Sequence, residues 1–395
     1  MILTRFAKVA AIAAIGTLSL AACGGTTTTS TDSASSAASS AASSASSTET
    51  SASASQSAGG TELTCPAGKI NGGGSSAQDI AMQALTKEYN SLCSANGSEV
   101  IYTKSGSGQG IKDFYNKQLQ WAGSDSALKT EPKDGVVETE KVKARCGGNE
   151  GWNLPMIVGP VAFAYNLDGV DKLTVTPAIV ADIYAGKITT WNDKALAAAN
   201  PGVTLPAEKI APFFRADESG TSENVTKYLK AAAPKNFTAE TSKTFPAKVG
   251  EGKQGTQGVA DAIKSTKGGF GYVEWKYAQD AQLGVSSVDN GSGAVELTAE
   301  NAGKAMESAK IVGTGNDLAL KLKYDGTPAG VYPMVMVTYE IVCSAGLDQA
   351  QGALMKDFLT YMTTPEAVTT LQSAGYAPLP EAVATKVSTA IQALK

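Results

Sequence analysis

Apolar residues along this chain keep two rhythms in turn, a short run with strand character and then a longer stretch with helical spacing, with glycine and serine at each change. The first such unit is KINGGGSSAQDIAMQALTKEY, a short strand, a glycine-rich turn, and a helical run carrying Ile80, Met82, Leu85 and Tyr89 on one face. EVIYTKSGSGQGIKDFYNKQL repeats the scheme, with a strand over Val100 to Thr103, the turn SGSGQG, and a helix from about Gly110. LQWAGSDSAL adds a short strand and a turn. This alternation predicts an α/β fold with largely parallel sheets.

A second region opens with NLPMIVGPVAFAYN, whose unbroken apolar run suits a strand buried on both faces. It continues through TPAIVADIYAGKITTWND, a helix with a glycine stop, and the strand KIAPFF, and it ends near GGFGYVEWKYA. After the polar VSSVDNGSG the pattern returns to helix, then to the strand VYPMVMVTYEIVC and a closing helix MKDFLTYMTTPEAVTTLQSAG. The chain therefore leaves one lobe and comes back to it, which predicts one lobe from 61–155 with 286–395 and a second from 156–285. Two crossings make a hinge, and a cleft between α/β lobes is a usual ligand site. Trp121, Trp152, Trp191 and Trp275 are expected in packing rather than against ligand.

The beginning of the chain reads differently. Arg5 and Lys8 precede the apolar AAIAAIGTLSL, and LAAC ends the run at Cys23, the form of an export signal over 1–22 with lipidation at Cys23. The apolar run is short of the roughly 20 residues that span a bilayer. Residues 23–60 are nearly all Ser, Ala, Thr and Gly, too poor in apolar bulk to offset ordering entropy, so a flexible tether is expected there. Its random-coil reach would be on the order of 35 Å.

Composition then narrows the chemistry. A net charge of −4 with no basic block argues against a nucleic-acid partner. The absence of histidine among the 395 residues removes Ser-His-Asp and Cys-His nucleophile systems, HExxH zinc sites and an imidazole base, so a non-enzymatic role without cofactor or metal is expected. No phosphate-cradling G-x-x-x-x-G-K-[ST] or dinucleotide G-x-G-x-x-G motif occurs. Beyond Cys23, four cysteines in an exported chain suggest two disulfides; of the three possible pairings, Cys65 with Cys93 and Cys146 with Cys343 is favoured.

Three Gly/Ser turns fall at predicted helix starts: GGGSSAQ at 72–78, SGSGQG at 105–110 and ESGT at 218–221. The last lies in RADESGTS, directly after the strand KIAPFF. First-turn N–H groups lack intrahelical partners, so converging turns of this kind would offer many donors to a small anion, and Arg215 would add a planar, two-pronged cation. The competing reading of RADESGTS alone is a helix cap by Ser219 or Thr221 with a surface Arg215–Asp217 pair.

Taken in order, GGGSSAQ, SGSGQGIKDF, WAGSDSAL, VAFAYNLDGV, IYAGKITTWND, RADESGTS, GGFGYVEW and AGYAPLP resemble the motifs of the phosphate-binding lipoproteins of bacterial phosphate ABC importers. The resemblance runs from Thr61 to near the C-terminus and implies a type II periplasmic-binding-protein fold, two α/β lobes closing on inorganic phosphate. It implies that Ser76, the Ala77 N–H and Ser107 hold the anion, and that Asp125 accepts the phosphate proton. Arg215 would clamp the oxygens with Asp217 orienting it, while Ser219, Gly220 and Thr221 add hydroxyl and backbone donors. Ser76-Ala77 replaces a Thr-Phe found in some members, and Glu218 replaces a common glycine, a charge that must point away from the anion. The implied partners are an ABC permease and, through Cys23, the outer face of the cell membrane, with the chain a monomer.

Three other roles compete: a sulfate or molybdate receptor of the same fold, a phosphate-ester hydrolase, which the absence of histidine disfavours, and a surface receptor that binds phosphate without transport. Asp125 discriminates against the first, because fully deprotonated sulfate has no proton to offer a carboxylate.

Overall fold

A computed structural model describes residues 63–133 and 135–395; the expected signal, Cys23 and tether lie outside the described residues. The described chain belongs to one compact unit, Ala58–Lys395.

The first part follows the predicted alternation. Strand β1 (Gly68–Gly74) leads to helix α1 (Asp79–Leu92), β2 (Ser98–Lys104) to α2 (Ser107–Tyr115), and β3 (Trp121–Ser124) to α3 (Glu138–Arg145). β1 pairs in parallel with both β2 and β3. Helix α2 starts at Ser107, earlier than the expected Gly110, because Gly106 at φ 90° turns the chain straight into the helix. A Cβ at Gly106 would come within 2.4 Å of Asp217 Oδ2, so only glycine fits there.

The apolar run 151–165 forms one uninterrupted strand, β4 (Gly151–Tyr165), buried along nearly its whole length. Its chain partner β14 (Val335–Cys343) lies antiparallel to residues 151–160, and β8 (Gly269–Glu274) lies antiparallel to residues 161–165. The second parallel group is β6 (Ala211–Arg215) between β7 (Glu251–Lys253) and β8. The resulting order is β2-β1-β3-β14-β4-β8-β6-β7, with β9 (Gly284–Val285) also on β4. The expectation of a largely parallel sheet thus holds at the two flanks and fails in the middle, where β4 and β14 run antiparallel to their neighbours. The expected boundary at 155/156 falls inside β4.

Helices α4 (Pro177–Tyr184), α5 (Lys194–Ala199), α6 (Gly220–Ala232), α7 (Gly255–Ser265) and α8 (Trp275–Asp280) accompany the second group. Thr176 caps α4 and Pro177 opens it, while Gly186 at φ 72° marks its stop. Minor strands β5 (Thr174–Val175), β10 (Ser287–Asp289) and β11 (Ala294–Val295) form a small sheet, and β12 (Lys310–Ile311) pairs β13 (Leu320–Lys321). The expected return to helix after 293 amounts to α9 (Ala299–Gly303) and a 3₁₀ turn. The single closing helix expected at 355–375 is two, α10 (Gln349–Tyr361) and α11 (Pro365–Ser373), because Pro365 starts a new helix under the Thr364 cap; α12 (Glu381–Gln392) follows.

The core divides into two clusters, one built on Ile70, Tyr89, Trp121 and Phe358, the other on Phe163, Trp191, Tyr228 and Phe270. Trp152 and Trp275 pack against these clusters as partly buried residues, in keeping with a packing role for all four tryptophans. Both favoured disulfides are formed, with Cα separations of 5.2 Å for Cys65–Cys93 and 5.5 Å for Cys146–Cys343. The second ties the end of α3 to the end of β14 across 197 residues of sequence, a closure that restricts the unfolded chain strongly. Among the described residues no helix is long and apolar enough to cross a membrane.

Candidate functional site

The three Gly/Ser turns converge. The Gly108 N–H at the start of α2 donates to the Glu218 carbonyl at 2.9 Å, which joins the second turn to the third. Asn224 on α6 donates to the main-chain oxygens of Asp125 (2.6 Å) and Gly220 (2.9 Å). A Cβ on Gly220 would sit 2.6 Å from Asp125 Cβ and 2.7 Å from Ser107 Oγ, so the α6 N-terminus can approach this closely only through a glycine.

Asp125, just beyond β3, is 2% exposed and ringed by hydroxyls. Ser75 and Thr338 donate to Oδ1 at 2.5 and 2.8 Å, and Ser107 donates to Oδ2 at 3.0 Å while accepting the Asp125 N–H at 3.2 Å. Burial pushes its carboxyl above the ordinary range; the Ser75 and Thr338 hydroxyls, the Arg215 charge and Ser107 oppose that rise.

Arg215 closes β6 and is itself buried. Asp217 accepts from its Nε at 2.7 Å through Oδ1 and from its Nη2 through Oδ2, while Nη1 reaches Thr256 Oγ1 at 3.1 Å. Burial alone would lower the guanidinium pKa, but Asp217 holds it above its ordinary value. The Asp217 carboxyl, pushed up by burial, is drawn below its ordinary value by Arg215 and by the Gly255 N–H. The pair foreseen as a surface alternative therefore exists, and it is a buried fork rather than a solvated contact. Ser219 likewise caps α6 through the Ser222 N–H, which leaves the first-turn N–H groups of Gly220 and Thr221 at the helix mouth. Thr221 Oγ1 donates to the buried Glu274 at 2.6 Å.

Ser76 and Ala77 lie in the first Gly/Ser turn, directly ahead of α1, whose first helical residue is Asp79. The Ala77 N–H donates to Ser75 Oγ at 3.1 Å, and Ser76 Oγ accepts the Thr256 N–H at 3.1 Å and lies 3.2 Å from Thr256 Oγ1. Tyr277 and Tyr376 donate to the Ser76 and Ala77 carbonyls, which fixes the turn between them. Glu218 turns to Lys112 at 2.6 Å.

Four participants escaped the sequence reading: Ser75, Thr256, Glu274 and Thr338. Thr256 opens α7 behind a glycine at φ 67°, so QGTQG is a fourth Gly-rich helix start that had the same signature as the other three. Thr338 was visible, with Glu340, as a polar residue in a largely apolar strand. Chemically the site offers the Asp125 carboxyl ringed by hydroxyls, the Asp217 carboxyl tied to the buried Arg215 guanidinium, the buried Glu274 carboxyl, and several hydroxyl and first-turn N–H donors.

The PBP superfamily domain model matches residues 25–366. Phosphate-binding protein PstS 3 of Mycobacterium leprae is 37% identical over 329 residues, 82% of this chain and 86% of that protein. Phosphate-binding protein PstS 2 of Mycobacterium tuberculosis is 36% identical over 349 residues, 87% and 92% of the two chains. Among solved structures, a high-affinity periplasmic phosphate-binding protein bound with phosphate aligns at TM-score 0.66 and 22% identity, over 82% of this chain and 93% of its own. A phosphate-binding protein from Stenotrophomonas maltophilia aligns at TM-score 0.64 and 20% identity, over 82% and 94%. At these identities the structural likeness speaks for the fold, and the identity to the curated relatives speaks for descent: the chain belongs to the PstS family of phosphate-binding proteins within the PBP superfamily.

Proposed function

We propose that this protein captures inorganic phosphate outside the cytoplasm and delivers it to the permease of an ABC importer, as a monomeric receptor that does not turn its ligand over. The observation that carries this reading is Asp125, a buried carboxylate acceptor set among hydroxyl donors beside a buried arginine. Phosphate near neutral pH always bears a proton for such an acceptor, whereas sulfate bears none.

In this reading Ser76, Ala77, Ser107, Asp125, Arg215, Ser219, Gly220 and Thr221 contact the anion, and Asp217 orients Arg215. Arg215 and Asp217 nearly cancel, so a dianion beside Asp125 relies on the helix-end N–H groups for the rest of its stabilisation. The hydroxyls of Ser76, Ser107 and Thr221 already have protein partners, so binding exchanges those partners for phosphate oxygens. Lobes formed by 61–155 with 286–395 and by 156–285 open to admit the ligand, the chain crossing between them inside β4 and again after β9. The body is held to the outer face of the membrane by a lipid on Cys23 and a tether over 23–60.

Titration calorimetry with phosphate, sulfate and a phosphomonoester tests the ligand assignment: tight binding of phosphate alone is expected, and equal binding of sulfate would overturn it. Cys23→Ala should abolish lipid labelling; labelling that persists would refute the anchor.

A further inference from the structure

We propose that Thr338 and Ser75 are specificity-determining positioning residues, whose hydroxyls hold the Asp125 carboxylate as an acceptor and leave Oδ2 to the anion. The proposal rests on the phosphate-binding reading above and assigns roles to two residues outside the ligand-contacting set.

A hydroxyl has one proton, and a carboxylate only accepts. The Thr338 and Ser75 protons are therefore both committed to Oδ1, at 2.8 and 2.5 Å. Ser75 Oγ is further fixed by the Ala77 N–H it accepts, so it cannot swing its proton elsewhere without losing a second bond. Thr338 is 1% exposed and β-branched, which leaves its hydroxyl little rotational choice. Oδ2 is bonded by Ser107 and faces Gly220, where a Cβ would come within 2.8 Å. The carboxylate thus has a braced oxygen and an oxygen directed at the mouth of α6.

The backbone is shaped to deliver Thr338. Along the β4–β14 ladder Thr338 stands opposite Ile157, but Tyr339 stands opposite Pro155, so the register slips at this point. Irregularities of this kind re-aim side chains next to functional sites. Polar residues at 338 and 340 in an otherwise apolar, fully buried strand place two groups on one face, and only the first reaches Asp125 by hydrogen bond.

The other ionisable groups that face Asp125 are Arg215 from β6, Glu274 at the end of β8, Glu340 on β14 and Tyr102 from β2. Burial favours a proton on Asp125, Arg215 opposes it by charge, and the Asp125 charge in turn favours protons on Glu274 and Glu340. Ser75 and Thr338 are the largest influences keeping the carboxyl ionised, ahead of Arg215. Without them Asp125 would hold its proton to higher pH, and a protonated Asp125 could donate through Oδ2 and so bond sulfate.

The test is competitive binding of phosphate and sulfate to the full chain from pH 5 to pH 8, for the parent, Thr338→Val, Thr338→Ser and Ser75→Ala. The parent and Thr338→Ser should exclude sulfate across the range. Thr338→Val and Ser75→Ala should each lose about tenfold or more of the preference for phosphate, increasingly as pH falls. A Thr338→Val protein that melts like the parent and keeps its preference at every pH would overturn the proposal, as would equal loss of both anions. If Thr338→Val does not fold, Ser75→Ala decides by the same criterion. Asp125→Asn run in parallel separates the two levels: sulfate gain there with none in the hydroxyl variants refutes this proposal alone, and no effect of Asp125→Asn refutes the ligand site itself.

Discussion

Asp217 grips the Arg215 guanidinium along one edge, Nε to Oδ1 at 2.7 Å and Nη2 to Oδ2, so the opposite edge keeps a fixed heading toward Thr256 and the first turn. Both side chains are nearly inaccessible, which removes solvent screening from the pair. Arg215→Ala should cost phosphate affinity roughly 3 to 5 kcal/mol, because a buried anion is left to neutral donors. Arg215→Lys should recover little of this, since an ammonium cannot fill both arms of the fork. Calorimetry on the two variants checks it; a lysine variant of parental affinity would contradict the role.

Three ion pairs join elements that the proposed lobes would separate: Lys112 with Glu218 at 2.6 Å, Lys243 with Glu138 at 2.8 Å, and Lys129 with Glu223. Their exposures differ enough to rank them. The Lys112 and Glu218 side chains are 44% and 39% exposed, a setting in which ion pairs contribute little, whereas Lys243 and Glu138 are 6% and 19% exposed. Glu138→Gln should therefore weaken phosphate binding several-fold, while Glu218→Gln should stay within about twofold. Equal losses in both variants would mean that burial does not rank these contacts, and no loss in either would mean that closure does not depend on them.

Glu340 is fully buried, and neither carboxyl oxygen has a hydrogen-bond partner among the described residues. Burial pushes its pKa up to about 8, against an ordinary 4.5. The folded protein therefore holds a proton that the unfolded chain releases. The stabilisation is complete below the ordinary value and is lost as pH rises toward about 8. Glu340→Gln should flatten this slope, so its melting temperature should gain on the parent between pH 5 and pH 8. Parallel melting curves for the two proteins across that range would show that Glu340 does not titrate there.

Much of the candidate site was legible because its residues sit in turns. Glycine and serine before a helical run leave donors unpaired wherever the fold places them, so the turns at 72–78, 105–110 and 218–221 and the arginine before the last could be read without knowing the sheet. The capping role of Ser219 and the Arg215–Asp217 pair were also foreseen, though burial converts the pair from a surface contact to an internal brace. What escaped was set by long-range pairing. Thr338 reaches Asp125 across 213 residues, and its register slip depends on β4, which local sequence does not announce. The antiparallel centre of the sheet escaped for the same reason, since a doubly buried apolar run reads alike in either direction. Thr256 is a different case: QGTQG had the signature of the other turns, but only the fold brings it to Ser76.

The central claim is that Asp125 accepts a hydrogen bond from the protonated oxygen of its ligand, and replacing that one acceptor tests it most directly. A site with a buried acceptor can reject an analogue without the donor by about 10⁴ or more. Asp125→Asn keeps an acceptor oxygen and adds an N–H₂ donor, so competitive titration of phosphate and sulfate should find much of the phosphate affinity retained and sulfate binding gained. A variant that still excludes sulfate as strongly as the parent would contradict the account.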